Sequence, residues 1–356
     1  MRAFQPSPAM NASVSQSQPN RRAVGIWLLI VAAIIVAMVA VGGLTRLTGS
    51  GLSITQWDPI IGAIPPLSDA AWNDAFAKYQ LIPQYRLQNV GMTVEGFKAI
   101  FWWEWAHRLL GRLIGVVFFV PFVWFAWTGA IARKEWPRML LLFALGGLQG
   151  FVGWWMVESG LETRVSVSQY RLAIHLGVAI VLLGAMLWVA LEYLRPKDGK
   201  VRAQHANWGV AFVGLVYVQI LLGALVSGLH AGRVYNTWPL MDGLTPSKAF
   251  SFSPWWINFF ESQGLVQFDH RIGAYLVASG AFSLWSWGRR VRLSGFAKYS
   301  SDLLFAITLA QVVLGIETLL WQAPVTLAAL HQVVAALLFC AAIWHAYELR
   351  YASPKP

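Results

Sequence analysis

FWWEWAHRLLGRLIGVVFF, residues 101–119, would dissolve in oil over most of its length, yet it sets Glu104, His107, Arg108 and Arg112 within nine positions. A soluble helix would gather such groups on a wet face. Here Leu, Ile, Val and Phe continue on every side, so the polar groups enter an apolar segment with no water to receive them. Ionisable side chains in such segments are costly, face the interior of a helical bundle and mark function. The stretch therefore points to a membrane-spanning helix whose inner face holds something polar.

The rest of the chain agrees. Of its 356 residues 57% are hydrophobic and 12% are Asp, Glu, Lys or Arg, against about 25% charged in soluble domains. A spanning helix needs roughly 20 mostly apolar residues. Eight segments qualify, near 23–44, 101–127, 138–157, 172–194, 208–229, 266–287, 302–322 and 326–347. The basic start before the first could suit a cleavable signal, but that run is long enough to span and has a counterpart at 208–229, which favours a retained helix. The fold class expected is an all-α integral membrane protein with two tandem four-helix bundles. A disordered tail (1–22) precedes the first half (23–194). A linker (195–207) leads to the second half (208–349) and a short tail (350–356).

Most of the 27 Lys and Arg residues, including Arg21, Arg22, Arg133, Lys134, Arg138, Arg195, Arg289 and Arg290, fall on one side of this topology. Short cytoplasmic loops are rich in Lys and Arg, so both termini are predicted to be cytoplasmic, in a multi-pass inner-membrane protein. The paired tryptophans 102–103, 154–155 and 255–256 then fall at the outer boundary, where aromatic belts form. The net charge of +11 thus belongs to topology and not to a nucleic-acid partner. A lone Cys340 excludes an internal disulfide and a thiolate cluster.

The halves repeat each other in order. EWAHR (104–108) answers QFDHR (267–271), LQGFVG (148–153) answers AQVVLG (310–315), and LAIH (172–175) answers AALH (328–331). ITQWDPIIG (54–62) likewise answers YNTWPLMDG (235–243). His107 thereby matches His270, and His175 matches His331. Each is expected within about two turns of the outer start of an even-numbered helix, so each half can present two imidazoles to one gap. A single membrane histidine is more often a hydrogen-bonded core residue. Two symmetric pairs at one depth favour ligation of haem iron by both pairs. Zinc is disfavoured, because a His pair without Cys or carboxylates is an incomplete tetrahedral set. Arg108 and Arg271 are candidate partners for haem propionates, or else they snorkel to the interface.

One position separates the halves. Three residues before His107 stands Glu104, and three before His270 stands Gln267. Residues at i and i+3 share a helix face, so Glu104 should border whatever His107 holds. Gln matches its size but cannot exchange a proton at neutral pH. The first half is thus equipped for acid–base work, unless Glu104 serves only an i,i+4 ion pair with Arg108.

From about Arg22 onward the chain resembles the haem A synthases. The resemblance rests on GGLTRLTGSGLSITQWDPIIGAIPP (42–66), EWAHRLLGR (104–112), QGFVGWWMVESGL (149–161), GALVSGLHAGRVYNTWPLMDG (223–243), FDHRIGAY (268–275) and His331. It implies an oxidoreductase that turns the C8 methyl of haem O into a formyl group by two successive hydroxylations. The resulting gem-diol then loses water to give haem A for terminal oxidases. It further implies that His270 and His331 are the axial ligands of a resident haem b, with Arg271 beside it. His107, His175 and Arg108 would bind the substrate haem O, with Glu104 catalytic. Partners implied are haem O and haem A, the haem O-forming farnesyltransferase, cytochrome oxidase assembly factors, membrane lipid and a second copy of the chain. Some members carry cysteine pairs in the outer loops. This chain has none, and so resembles the cysteine-free type of proteobacteria and mitochondria.

Two other classes compete. A di-haem electron carrier linked to quinol explains the four histidines equally well but not Glu104 against Gln267. A transporter would use internal repeats with helices broken near the midplane, whereas the polar residues here gather near one face. His205, His230 and His345 lack repeat partners and are read as structural or interfacial, Glu317 is given no role, and Arg46 is a possible propionate contact.

Overall fold

A computed structural model describes residues 18–161, 164–195 and 203–351. Among them the chain is helical, with no strand. Eight long helices appear: α1 (Gln18–Leu47), α2 (Val94–Trp127), α3 (Trp136–Leu161), α4 (Gln169–Leu194), α5 (Ala203–Gly228), α6 (Gln263–Arg290), α7 (Gly295–Leu320) and α8 (Val325–Tyr351). Seven are long and apolar enough to cross a membrane. The exception is α6, which carries Asp269, Arg271, Arg289 and Arg290 and whose middle is diluted by Ser279, Ser283 and Ser286.

The centre of the bundle is built by α1, α4, α5 and α8. Val24, Leu28, Val31 and Ile35 line one face of α1 at spacings of three and four residues, the period that keeps side chains on one stripe. Against them lie Ile180, Leu183, Met186 and Ala190 of α4, with Ala336, Phe339 and Ala342 of α8. Around this centre α1 packs on α2, α4 and α8, and α5 packs on α6, α8 and α4. The outward face of α2 shows Leu113, Val116, Val120, Val123 and Trp127 exposed, an apolar stripe suited to acyl chains. A turn at Ala323-Pro324 separates α7 from α8, with Gln322 and Ala323 both at positive φ.

Several helices start earlier than expected, among them α1 at Gln18, α2 at Val94, α5 at Ala203 and α7 at Gly295. The second helix starts at Val94 and not near 101, because Thr93 accepts a hydrogen bond from the Gly96 amide and caps it. Its added first turns are clad by the helix Asp69–Gln80, whose Trp72, Phe76 and Tyr79 bury Phe97 and Phe101. His107 consequently lies nearly four turns from the start of its helix. His205, read as a loop residue, falls in the first turn of α5.

Candidate functional site

Each of the four repeat-matched histidines meets a glycine of the preceding long helix. A methyl group built on Gly42 would lie 2.9 Å from Nε2 of His107. On Gly153 it would lie 2.9 Å from Cε1 of His175, on Gly223 3.2 Å from Cε1 of His270, and on Gly315 3.0 Å from Cε1 of His331. At Gly42 and Gly153 a side chain would force the ring to shift, and at Gly223 and Gly315 the ring would have to give by a few tenths of an ångström, so the glycines let each imidazole rest close on helix backbone. The contacts pair α1 with α2, α3 with α4, α5 with α6 and α7 with α8. The QxxxG spacing within two of the matched segments, 149–153 and 311–315, was the available signal for this packing, and 219–223 repeats it.

The rings of His270 and His331 stand 6.5 Å apart, centroid to centroid, at 81°. Two imidazoles on opposite sides of one metal, each with a metal–nitrogen bond of about 2.0–2.1 Å and roughly 1 Å more to the ring centre, need roughly 6 Å. The pair therefore fits a shared metal. Among the described residues no cluster of three or more His, Cys, Asp or Glu could hold a metal ion. Two imidazoles alone under-coordinate a bare ion, whereas a porphyrin brings four nitrogens of its own. Nδ1 of His331 is buried without a partner, as are the amide oxygens of Gln149, Gln219 and Gln311, so polar capacity remains in these pockets. The residues present fit haem.

Beside His107 and beside His270 the loop that follows the preceding long helix is strapped down. In the first half Glu104, 2% exposed, accepts from Ser53 Oγ and the Ile54 amide on Oε2, both at 2.8 Å. Its Oε1 accepts from Arg108 Nε at 3.1 Å and Nη2 at 2.7 Å. Arg108 also donates to the carbonyls of Ile54 and Gln56. One turn on, Arg112 donates to those of Asp58 and Pro59. In the second half Gln267 donates to the carbonyls of Ala231 and Val234. Arg271 donates to Gln267 Oε1 and to the carbonyls of Tyr235, Thr237 and Leu240. The i,i+4 pair weighed for Glu104 and Arg108 is thus present, inside a larger network. Both arginines also donate to loop carbonyls, a role that sequence spacing did not suggest. Nε of Arg271 is buried without a partner and remains open to an acceptor.

The unmatched polar residues have local partners. His345, 1% exposed, shares a hydrogen bond with Ser300 across α7 and α8. Glu317 accepts from Trp321 Nε1 within its own helix end. The side chain of His205 lies outside the described residues. Arg46, at the end of α1, donates to the carbonyls of Ser227 and Gly228 and to His230 Nε2 at 2.9 Å, so it caps the C-terminus of α5 and ties the first half to the second. Burial first, then Arg46 and Arg233, push the His230 ring from 6.5 down to about 4. It is therefore neutral when docked and charged when released in that window. The unfolded loop binds the extra proton, so docking weakens as pH falls from about 6.5 towards 4. Hydrogen-exchange protection at 228–236, taken relative to the intrinsic rate, should fall over that range, and His230→Gln should abolish the fall.

The COX15-CtaA family model, described as cytochrome oxidase assembly protein, matches residues 25–343. A protein named "Heme A synthase" from Parvibaculum lavamentivorans is 48% identical over 343 residues, covering 96% of this chain and 98% of the relative. The proteins of that name from Allorhizobium ampelinum (50% identical, 99% and 97% covered) and Nitrosospira multiformis (47%, 93% and 94%) are similarly matched end to end. On these matches, the chain belongs to the COX15-CtaA family of cytochrome oxidase assembly proteins.

Proposed function

We propose that this protein is a haem A synthase, an oxidoreductase that converts the C8 methyl of haem O to a formyl group by two successive hydroxylations. The observation that carries the reading is the asymmetry of two otherwise matching straps. Each half sets an Arg and a side chain of one shape beside His107 or His270, and only the first half makes that side chain a carboxylate. Taking a methyl to a formyl releases protons as well as electrons, so the half holding the substrate is the half that needs a proton acceptor.

In this reading α1–α4 and α5–α8 are tandem four-helix units, α6 spans with the other seven, and both termini face the cytoplasm of an inner membrane. His270 and His331 hold a resident haem b, which supplies one-electron redox chemistry. His107 and His175 hold haem O between α2 and α4. Glu104 takes protons at Oε2, where Ser53 Oγ offers a relay, while Arg108 keeps Oε1 fixed. Ser53, Ile54 and Gln56 hold the loop over the site and limit water. Arg108 and Arg271 are propionate partners, Arg271 through an Nε–H that has no other acceptor. Handover from the haem O-forming farnesyltransferase and delivery to oxidase assembly factors complete the proposal.

The test is expression in cells that make haem O but lack any other synthase. Extraction should yield haem A. Extracted haem O with no haem A, from membranes holding the folded protein, would leave the di-haem electron carrier as the better reading.

A further inference from the structure

Three of the four histidines share a second feature. One turn before its glycine, each of α3, α5 and α7 carries a glutamine: Gln149 before Gly153, Gln219 before Gly223, Gln311 before Gly315. Nε2 of Gln149 donates to the carbonyl of His175 at 3.0 Å and lies 3.1 Å from Nδ1 of its ring. Gln219 does the same to His270, at 2.9 and 3.0 Å. Gln311 donates to the carbonyl of His331 at 3.1 Å and lies 3.4 Å from a ring nitrogen. In every case the amide oxygen is buried without a donor. At the corresponding place in α1, one turn before Gly42, stands Met38, and among the described residues no side chain hydrogen-bonds the His107 ring.

A histidine that gives one ring nitrogen to a metal carries its proton on the other, and a hydrogen-bond acceptor there fixes the ring and raises its donor strength. Half a turn of a glutamine amide exchanges its nitrogen for its oxygen. Each orphaned amide oxygen would then accept from a ring N–H, in exchange for the amide nitrogen's bond to the histidine carbonyl. Resting on the ligand assignment proposed above, we infer that Gln149, Gln219 and Gln311 are positioning residues for the histidines they touch, and that Met38 leaves His107 as the weakly held, exchangeable ligand.

The arrangement suits the two roles. The second half supports both of its histidines, as a cofactor that stays requires. The first half supports His175 and leaves His107 free to let go, as a substrate that must enter and leave requires. The Met38 Cε methyl lies 3.3 Å from a methyl built on Gly111, and a glutamine of similar length and volume is the substitution that restores the pattern of the other three helices.

The experiment uses the full chain with its resident haem, loaded at the first pair with iron protoporphyrin IX as the probe and mixed with excess apomyoglobin. Transfer should be biphasic, with the fast phase from the first pair. A hydrogen bond is worth about 0.5–1.5 kcal/mol net. Met38→Gln should therefore slow the fast phase by up to about tenfold, Gln149→Leu should quicken it by a similar factor, and neither should move the slow phase. For the resident haem, Gln219→Leu and Gln311→Leu should raise the midpoint potential with haem still bound, and Gln219→Glu should lower it. A fast phase absent from His175→Ala but unchanged in both Met38→Gln and Gln149→Leu would overturn the glutamine role alone. A fast phase that survives His107→Ala and His175→Ala together would overturn the ligand assignment beneath it.

Discussion

His331→Ala protein, purified from membranes, is expected to lose the six-coordinate, low-spin spectrum of its resident haem, and His270→Ala should do the same. The two ring centroids lie 6.5 Å apart, the separation one shared metal needs, and each ring packs on a glycine of the neighbouring helix. Removing an outer partner of a metal ligand costs roughly 10–100-fold in affinity, so removing the ligand itself should cost more. Resident haem should fall below about a tenth of wild-type occupancy or persist only as a five-coordinate, high-spin species. Global folding should survive, because the core of α1, α4, α5 and α8 lies towards the other end of these helices. Optical and EPR spectra of the purified variants decide the matter, and an unchanged bis-imidazole spectrum would remove both residues from the ligand set.

Glu104→Gln is expected to give a protein that keeps its haem and makes no haem A. General acid–base groups contribute about 10²–10⁴-fold to rate, so extracted haem A should drop by at least about a hundredfold. The substitution also has a local cost that the second half does not suffer. Gln267 points its amide nitrogen at two carbonyls, whereas a glutamine at 104 would point it at the Ile54 amide, donor against donor. An unsatisfied buried donor costs about 1–3 kcal/mol, which would loosen residues 53–56. Ser53→Ala separates the two effects: it removes one strap bond while leaving the carboxylate, and should retain a measurable fraction of activity. Normal haem A yield from Glu104→Gln would strip Glu104 of any part in the chemistry.

Much of this site was legible in sequence, for identifiable reasons. Hydropathy reveals long helices because lipid accepts only segments that satisfy their own backbone, and eight such helices are found where eight apolar runs stood. The run at 266–287 passes as a span by analogy with its repeat partner and fails on its own apolarity, since Asp269 and Arg271 sit near its start and serines follow. The second helix begins earlier than its apolar run because a threonine cap and an aromatic cover, not hydropathy, decide its start. The Glu104–Gln267 contrast needed only the repeat alignment. The glutamines were visible as a QxxxG spacing in two matched segments, but their role was not, since nothing in the spacing names the histidine each one touches.

The residues alone determined the helical class and pointed to a repeat, to four matched histidines and to the Glu104–Gln267 contrast, because helix period, lipid solvation and internal similarity are properties of the chain in one dimension. Only the tertiary structure decided what those residues touch. It set glycine against imidazole across neighbouring helices, put Glu104 between Ser53 and Arg108, turned Arg108 and Arg271 to loop carbonyls, and gave Arg46 to the end of α5. The physical reason is that hydrogen bonds and close packing act over a few ångströms between segments far apart in the chain. Such partners are chosen when helices dock and loops close.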